Sequence, residues 1–149
     1  MNIQTIPEID AVGYSVRTTN ANEQKPATAK IGSIWEKFFT VALPKLTAQS
    51  KVYGVYTNYE SDPTGEFDVI ACANTLSTDT LADSVSVQME AGKYLIFAAQ
   101  GQMPQAVIGL WGEVWEYFGA EDCEHTRSFT TDFEFYKGAD EIEIYIAIK

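Results

Sequence analysis

The feature that most constrains the fold is a pattern that occurs twice, with a spacing of 80 residues. One ungapped register aligns a strand start, a helix stripe and a later strand: Ile9 with Met89, Tyr14 with Tyr94, Trp35 with Trp115, Tyr53 with Phe133, and Tyr56 with Tyr136. A register that joins three elements indicates a duplicated unit. We therefore expect a single domain over residues 1–149, built from two repeats at 1–75 and 82–149.

Each repeat contains one amphipathic helix. Apolar residues recur at i, i+3, i+4, i+7 and i+8 within 31–39, and the same spacing is found within 107–118. This period places the apolar side chains on one side of a helix. Pro104 and Gly119 bracket the second pattern, as is typical of a helix start and end.

Strands are indicated by alternation of apolar and other residues with a period of two. The alternation is clearest in the last segment, where Ile142, Ile144, Ile146 and Ile148 occupy every second position. Each repeat is thus predicted to run strand, helix, strand, strand. The expected fold class is α+β, with the two units related by a pseudo-twofold axis, antiparallel sheets, helices on one side, and a ligand groove between the halves.

The same alternation predicts which side chains line the groove. We expect Phe133 and Phe135 to pack beneath the helix, which turns the intervening side chains away from it. The groove face would then carry one carboxylate and four neighbours: Glu134, Gly54, Tyr56, Tyr136 and Tyr145. Aromatic rings around a carboxylate are suited to a cation. On pattern alone, a plain sheet surface with a solvated Glu134 is the commoner explanation.

Composition restricts the class of partner. Ten Lys and Arg residues stand against 21 Asp and Glu, for a net charge of −11. This charge opposes binding to nucleic acid and to anionic membranes. The first ten residues lack a signal-peptide pattern, and the sequence contains no apolar run long enough to span a membrane. A cytoplasmic protein is expected.

Residues that could carry catalysis are few. Cys123 lies among Glu121, Asp122 and Glu124, whose carboxylates disfavour a thiolate, and His125 is the single histidine. The sequence contains no nucleophile elbow, phosphate-binding loop, dinucleotide fingerprint or cluster of metal ligands. We predict no catalytic residue, no metal site and no cofactor, so a binding protein is favoured over an enzyme.

Five short motifs occur in this order: Val52-Tyr53-Gly54-Val55-Tyr56, Glu90-Ala91-Gly92-Lys93-Tyr94, the helix with Trp115, Asp132-Phe133-Glu134-Phe135-Tyr136, and Glu143-Ile144-Tyr145-Ile146. Together they resemble the GyrI-like effector-binding family, which is related to the effector domains of AraC-type regulators. The resemblance implies a stand-alone module for multidrug recognition, similar to integron cassette proteins, that binds lipophilic cations. It implies that Glu134 meets the positive charge. The full predicted ligand-binding set is Glu134, Tyr136, Tyr56, Gly54, Tyr145, Trp115 and Phe97.

Two alternatives follow from the same resemblance. Some relatives hydrolyse strained alkylating natural products, which would give Glu134 and Tyr136 an acid–base role. An acidic protein of this family could also bind another protein, such as gyrase, and protect it. No helix–turn–helix segment is recognised within the sequence, so direct DNA binding is not expected.

Overall fold

The computed structural model describes residues 2–60 and 64–149. The elements, in chain order, are β1 (Asn2–Ile6), β2 (Ile9–Thr18), α1 (Asn20–Glu23), α2 (Ile31–Val41), a 3₁₀ turn (Leu43–Lys45), β3 (Val52–Thr57), β4 (Phe67–Ala73), β5 (Val85–Met89), β6 (Gly92–Gln100), α3 (Gln105–Gly119), β7 (Thr131–Gly138) and β8 (Glu141–Ala147). The predicted α+β class is confirmed. Both predicted helices are present, as α2 and α3, because their apolar stripes have the helical period.

All eight strands form one antiparallel sheet in the order β1-β6-β8-β7-β3-β4-β2-β5. The order consists of two blocks of four strands that meet where β7 pairs with β3. Strand β1 of the first repeat pairs with β6 of the second, and β5 of the second pairs with β2 of the first. Each predicted strand-helix-strand-strand unit is thus preceded by a short strand that the alternation did not predict. This strand pairs with the other block of the sheet.

Helices α2 and α3 lie on the same face of the sheet. Ile34 and Phe38 of α2 pack in a cluster with Ala71 and Ala73 of β4. Under α3 the cluster is formed by residues of the helix and of two strands: Leu110, Val114, Leu95, Phe97, Ile142, Ile144 and Ile146. The isoleucines of β8 therefore lie beneath a helix, as the alternation predicted.

The opposite face of the sheet is also buried. It carries a third cluster that includes Tyr53, Val55, Tyr94 and Phe133. The sheet curls enough for β5 to contact β7, although three strands separate them in the sheet order. This curl supplies a second hydrophobic interior without any helix.

The predicted facing of β7 is wrong. Glu134 is directly opposite Ile144, so its side chain shares the helix face with the isoleucines. Phe133 and Phe135 point to the other face and pack in or against its cluster. Alternation showed that successive residues of β7 face opposite ways, but both faces of this sheet are apolar. The apolar side of a strand is then no guide to the side that the helix covers.

The spacing between the repeats also differs from one element to the next. Tyr56 packs against Trp111 with ring centroids 4.9 Å apart, and Tyr136 packs against Trp35 at 5.1 Å. Trp35 therefore corresponds to Trp111. The ungapped register had instead aligned Trp35 with Trp115. The difference is four residues, close to one helical turn of about 3.6 residues, so the apolar stripe aligns at either spacing.

Candidate functional site

The candidate site is centred on Glu134, in the middle of the sheet. Glu134 of β7 is directly opposite Gly54 of β3, where the two blocks of strands meet. A Cβ atom at Gly54 would lie 2.5 Å from the Glu134 Oε1 atom and 3.0 Å from the Trp35 Cζ2 atom. Glycine is therefore what allows the carboxylate and the indole ring to approach this backbone. The Glu134 residue itself is 3% exposed.

Three side chains donate hydrogen bonds to the Glu134 carboxylate. The Tyr56 hydroxyl and the Trp111 indole Nε1 both donate to Oε2, at 2.9 and 2.7 Å. The Tyr136 hydroxyl donates to Oε1 at 2.9 Å. These donors come from β3 of the first repeat and from α3 and β7 of the second, so both repeats contribute to the binding of one carboxylate. All three donors are neutral.

Burial determines the titration of these groups. Removal of Glu134 from water raises the pKa of its carboxyl group, and the hydrogen bonds from Trp111, Tyr136 and Tyr56 lower that pKa in part. Burial, followed by the charge of Glu134, raises the pKa of Tyr56 and of Tyr136 well above the ordinary tyrosine value. Both hydroxyls therefore keep their protons and remain donors at neutral pH.

A second buried carboxylate, two residues away on β7, is compensated differently. Asp132 is 0% exposed, and its Oδ2 atom lies 2.6 Å from an Arg127 guanidinium nitrogen. It also accepts hydrogen bonds from the Tyr59 hydroxyl and from the Ala147 backbone N–H. Among the residues that the structure describes, no lysine or arginine forms an ion pair with Glu134. Of these two carboxylates, Glu134 is the one without a countercharge.

Aromatic rings from both helices cover the carboxylate. Trp111 of α3 is partly buried and continues outward to Trp115, with ring centroids 6.3 Å apart. Trp35 of α2 continues in the same way to Phe39, at 5.6 Å. The outer rings, Trp115 and Phe39, are 46% and 49% exposed. A chain of rings thus leads from Glu134 to solvent on each side.

The structure brings four of the predicted site residues together: Glu134, Gly54, Tyr56 and Tyr136. Trp115 lies at the outer edge, in contact with Trp111 rather than with the carboxylate. Phe97 packs against Tyr117 and Phe118 in the cluster under α3.

Tyr145 does not share the face of Glu134, and the prediction that it does is wrong. Its ring stacks on Phe133 with centroids 4.5 Å apart, and its hydroxyl donates to Glu143. The error has the same cause as that for Phe133, because Tyr145 is directly opposite Phe133 in the sheet.

Two residues at the site were not among the predicted set, namely Trp35 and Trp111. Both belong to the apolar stripes from which the helices were predicted. The isoleucines of β8 gave a usable signal, since a strand residue opposite Ile144 must lie under α3. The pairing of Glu134 with Ile144 would therefore have predicted that Glu134 lies under α3, near the indole of Trp111.

Other site types are less prominent. Within residues 2–60 and 64–149, no group of three His, Cys, Asp or Glu side chains is arranged as metal ligands. None of the helices in that part of the chain is long and apolar enough to cross a membrane. Two clefts of about 340 and 390 Å³ lie elsewhere, along β2 and β5, and Glu134 is not among their lining residues.

The curled eight-stranded antiparallel sheet, with two repeated units meeting at β3 and β7, is that of the GyrI-like effector-binding proteins. A family model described as integron-associated effector binding protein, Cass2, matches residues 2–148. The chain belongs to this family.

Three known proteins are similar to this chain. An integron cassette protein from the mobile metagenome of Vibrio cholerae is 57% identical, with a TM-score of 0.96 over 99% of this chain and 95% of that one. SAV2435, solved with bound tetraphenylphosphonium, shares the fold at 21% identity and a TM-score of 0.76, over 99% of this chain and 93% of that one. YobU of Bacillus subtilis (strain 168) is 26% identical over 148 residues, which are 92% of this chain and 90% of YobU.

Proposed function

We propose that this protein binds lipophilic, aromatic cations and that Glu134 provides the countercharge. The observation that carries the proposal is that Glu134 is a buried carboxylate whose three hydrogen-bond partners are all neutral. Asp132, on the same strand, has the compensating arginine that Glu134 lacks. A cation from outside the chain would complete the site.

The energetics favour a ligand that is both charged and apolar. Burying an ionised carboxylate costs several kcal/mol, and an opposite charge at hydrogen-bond or contact distance offsets much of that cost. Ring faces within about 6 Å of a cation add attraction. A strongly hydrated ion such as Na⁺ would lose its water on entry, whereas a cation masked by aromatic groups has little hydration to lose.

Entry requires movement of the rings that cover Glu134. Trp111 must release Oε2, because its indole N–H occupies the position that a cation would approach. Trp35 and Trp111 are both partly exposed, and they pack against the two helix-side clusters without being buried members of them. Ligand entry would therefore displace the edges of these clusters rather than their buried residues. The exposed rings Trp115 and Phe39 would then contact the apolar part of the ligand.

The test uses two ions of the same shape and opposite charge. Tetraphenylphosphonium and tetraphenylborate are titrated against the protein, with tryptophan fluorescence as the readout, because Trp35 and Trp111 lie at the site. SAV2435, with tetraphenylphosphonium in its structure, motivates the choice of cation. The expected dissociation constant for the cation is micromolar, about −8 kcal/mol. The anion is expected to bind much more weakly or not at all.

One control separates the site from the overall charge. A net charge of −11 attracts any cation through a field that salt screens, while a desolvated pair at Glu134 is screened much less. Repeating the titration at high ionic strength should leave most of the phosphonium affinity. Equal affinity for the cation and the anion would overturn the proposal, and so would complete loss of binding in salt.

A further inference from the structure

The site has an internal symmetry that bears on the shape of its ligand. Gly54 and Glu134 correspond to each other in the two repeats, and they are also directly opposite in the sheet. The pseudo-twofold axis therefore passes between them. Glu134 supplies a single charge beside the axis, since the equivalent position in the first repeat is a glycine.

The aromatic walls obey the same symmetry. On one side Tyr56 meets Trp111 at 4.9 Å and 62°, and on the other side Tyr136 meets Trp35 at 5.1 Å and 70°. The outer rings continue the relation, with Trp115 following Trp111 and Phe39 following Trp35 along their helices. The site thus presents two similar aromatic walls with one charge between them.

We propose that the site selects cations that carry two aromatic groups on opposite sides of the charge. This inference rests on the proposed function and specifies its ligand class. When the charge is at Glu134, one aromatic group can reach each wall, and both walls lose contact with water. A cation whose rings all lie on one side reaches only one wall. The rings of the other wall must still move for the ligand to enter, but they then form no contact with it.

Two isomeric cations provide the test. Dibenzyldimethylammonium carries its two rings on opposite sides of the nitrogen, while (4-biphenylylmethyl)trimethylammonium carries both rings on one side. The two ions have the same formula, charge and number of rings. Calorimetric titration of the unmodified protein should show about tenfold tighter binding of the dibenzyl isomer, as expected for an additional aromatic contact on the second wall.

A variant identifies the second wall. Trp35→Leu removes a ring that does not donate to Glu134, so the charge site keeps its three donors. The variant should weaken binding of the dibenzyl isomer more than binding of the biphenylyl isomer, and so reduce the difference between the two affinities. Val85→Ala, at an exposed position on edge strand β5 and away from both walls, should leave the difference intact.

The possible failures are distinguishable. If tetraphenylphosphonium binds but the two isomers bind equally, or the one-sided isomer binds more tightly, the inference about shape is overturned and the proposed function stands. If neither isomer nor tetraphenylphosphonium binds, both are overturned. The isomer comparison uses the unmodified protein, so it decides the question even if a variant fails to fold.

Discussion

Gly54 and Glu134 are directly opposite each other across the β3–β7 pair, and the glycine leaves the space that the carboxylate and Trp35 fill. The two blocks of strands therefore differ at the position where they meet. Strand β7 contributes the charged side chain, and β3 contributes the space that it occupies. Two carboxylates at these positions would repel each other, and one of them would keep its proton.

Gly54→Ala tests the tight packing at the axis. The new methyl group would lie 2.5 Å from Glu134 Oε1, so the carboxylate and the Trp35 ring must shift. Overpacking of this kind costs about 1–3 kcal/mol. We expect a lower free energy of unfolding in urea and weaker binding of tetraphenylphosphonium.

Gly112→Ala is the matched control. Gly112 lies in α3, and a Cβ atom there has no neighbour within 4 Å. Alanine is favoured over glycine in a helix interior by about 0.5–1 kcal/mol, so this variant should be slightly more stable. If both variants have the same stability as the wild type, the packing argument fails.

Trp111→Phe keeps an aromatic ring but removes the indole N–H. Loss of this donor should raise the pKa of Glu134 further, because the hydrogen bond favours the ionised carboxylate. The pH at which phosphonium binding reaches half its maximum should therefore move upward. Titrations at several pH values measure this midpoint, with Trp115→Phe as the control that should not change it. A midpoint that is the same in wild type and Trp111→Phe would contradict the assigned hydrogen bond.

Glu134 should also determine how stability depends on pH. Its pKa is raised in the native protein, so between the ordinary value and the raised value the native state binds more protons than the unfolded state. The contribution of Glu134 to stability is fully present below the unfolded pKa and is lost as pH rises through the folded pKa. In Glu134→Gln this loss should disappear.

Urea denaturation across pH 4 to 8 measures the effect as the difference between wild type and Glu134→Gln. Glu143→Gln is a suitable control, since Glu143 lies on the neighbouring strand and bonds to Tyr145 on the other face. It should retain the slope of the wild type. If Glu134→Gln retains that slope as well, the assigned titration is wrong.

The ion pair between Arg127 and Asp132 should be structural. Arg127→Met leaves the buried Asp132 carboxylate without its cation, although two hydrogen bonds to it remain. Removal of one partner from a buried pair costs about 3–5 kcal/mol. The free energy of unfolding should fall accordingly, and the double variant Arg127→Met with Asp132→Asn should recover part of it. No recovery would mean that Arg127 acts through packing on Phe129 instead.

The sequence was sufficient for the elements that bury a patterned face. Helices α2 and α3 and the isoleucine strand β8 were predictable because one side of each is consistently apolar. Strands β1 and β5 were not, because they are short edge strands with few buried residues. Edge strands need little apolar pattern, since their pairing is mostly through the backbone.

The residues of the site were predictable in part, but the face of the sheet on which they lie was not. Glu134, Tyr56, Tyr136 and Gly54 follow from alternation and from the resemblance to the family. The helix that covers them does not follow, because residues on both faces of β7 are buried. Trp111 could be found only from the register between Glu134 and Ile144, which depends on the turn between β7 and β8.

The most direct test of the account is the affinity of Glu134→Gln for tetraphenylphosphonium, measured by calorimetry between pH 5 and 8. Glutamine keeps the shape of the side chain but deletes the charge, and loss of one partner from a desolvated charge pair costs on the order of 2–5 kcal/mol. Wild-type affinity should rise with pH through the raised pKa of Glu134, with a fraction of a proton released on binding. The variant should bind at least about tenfold more weakly at pH 8, without pH dependence. Equal affinity of wild type and variant across this range would contradict the assignment of Glu134 as the countercharge.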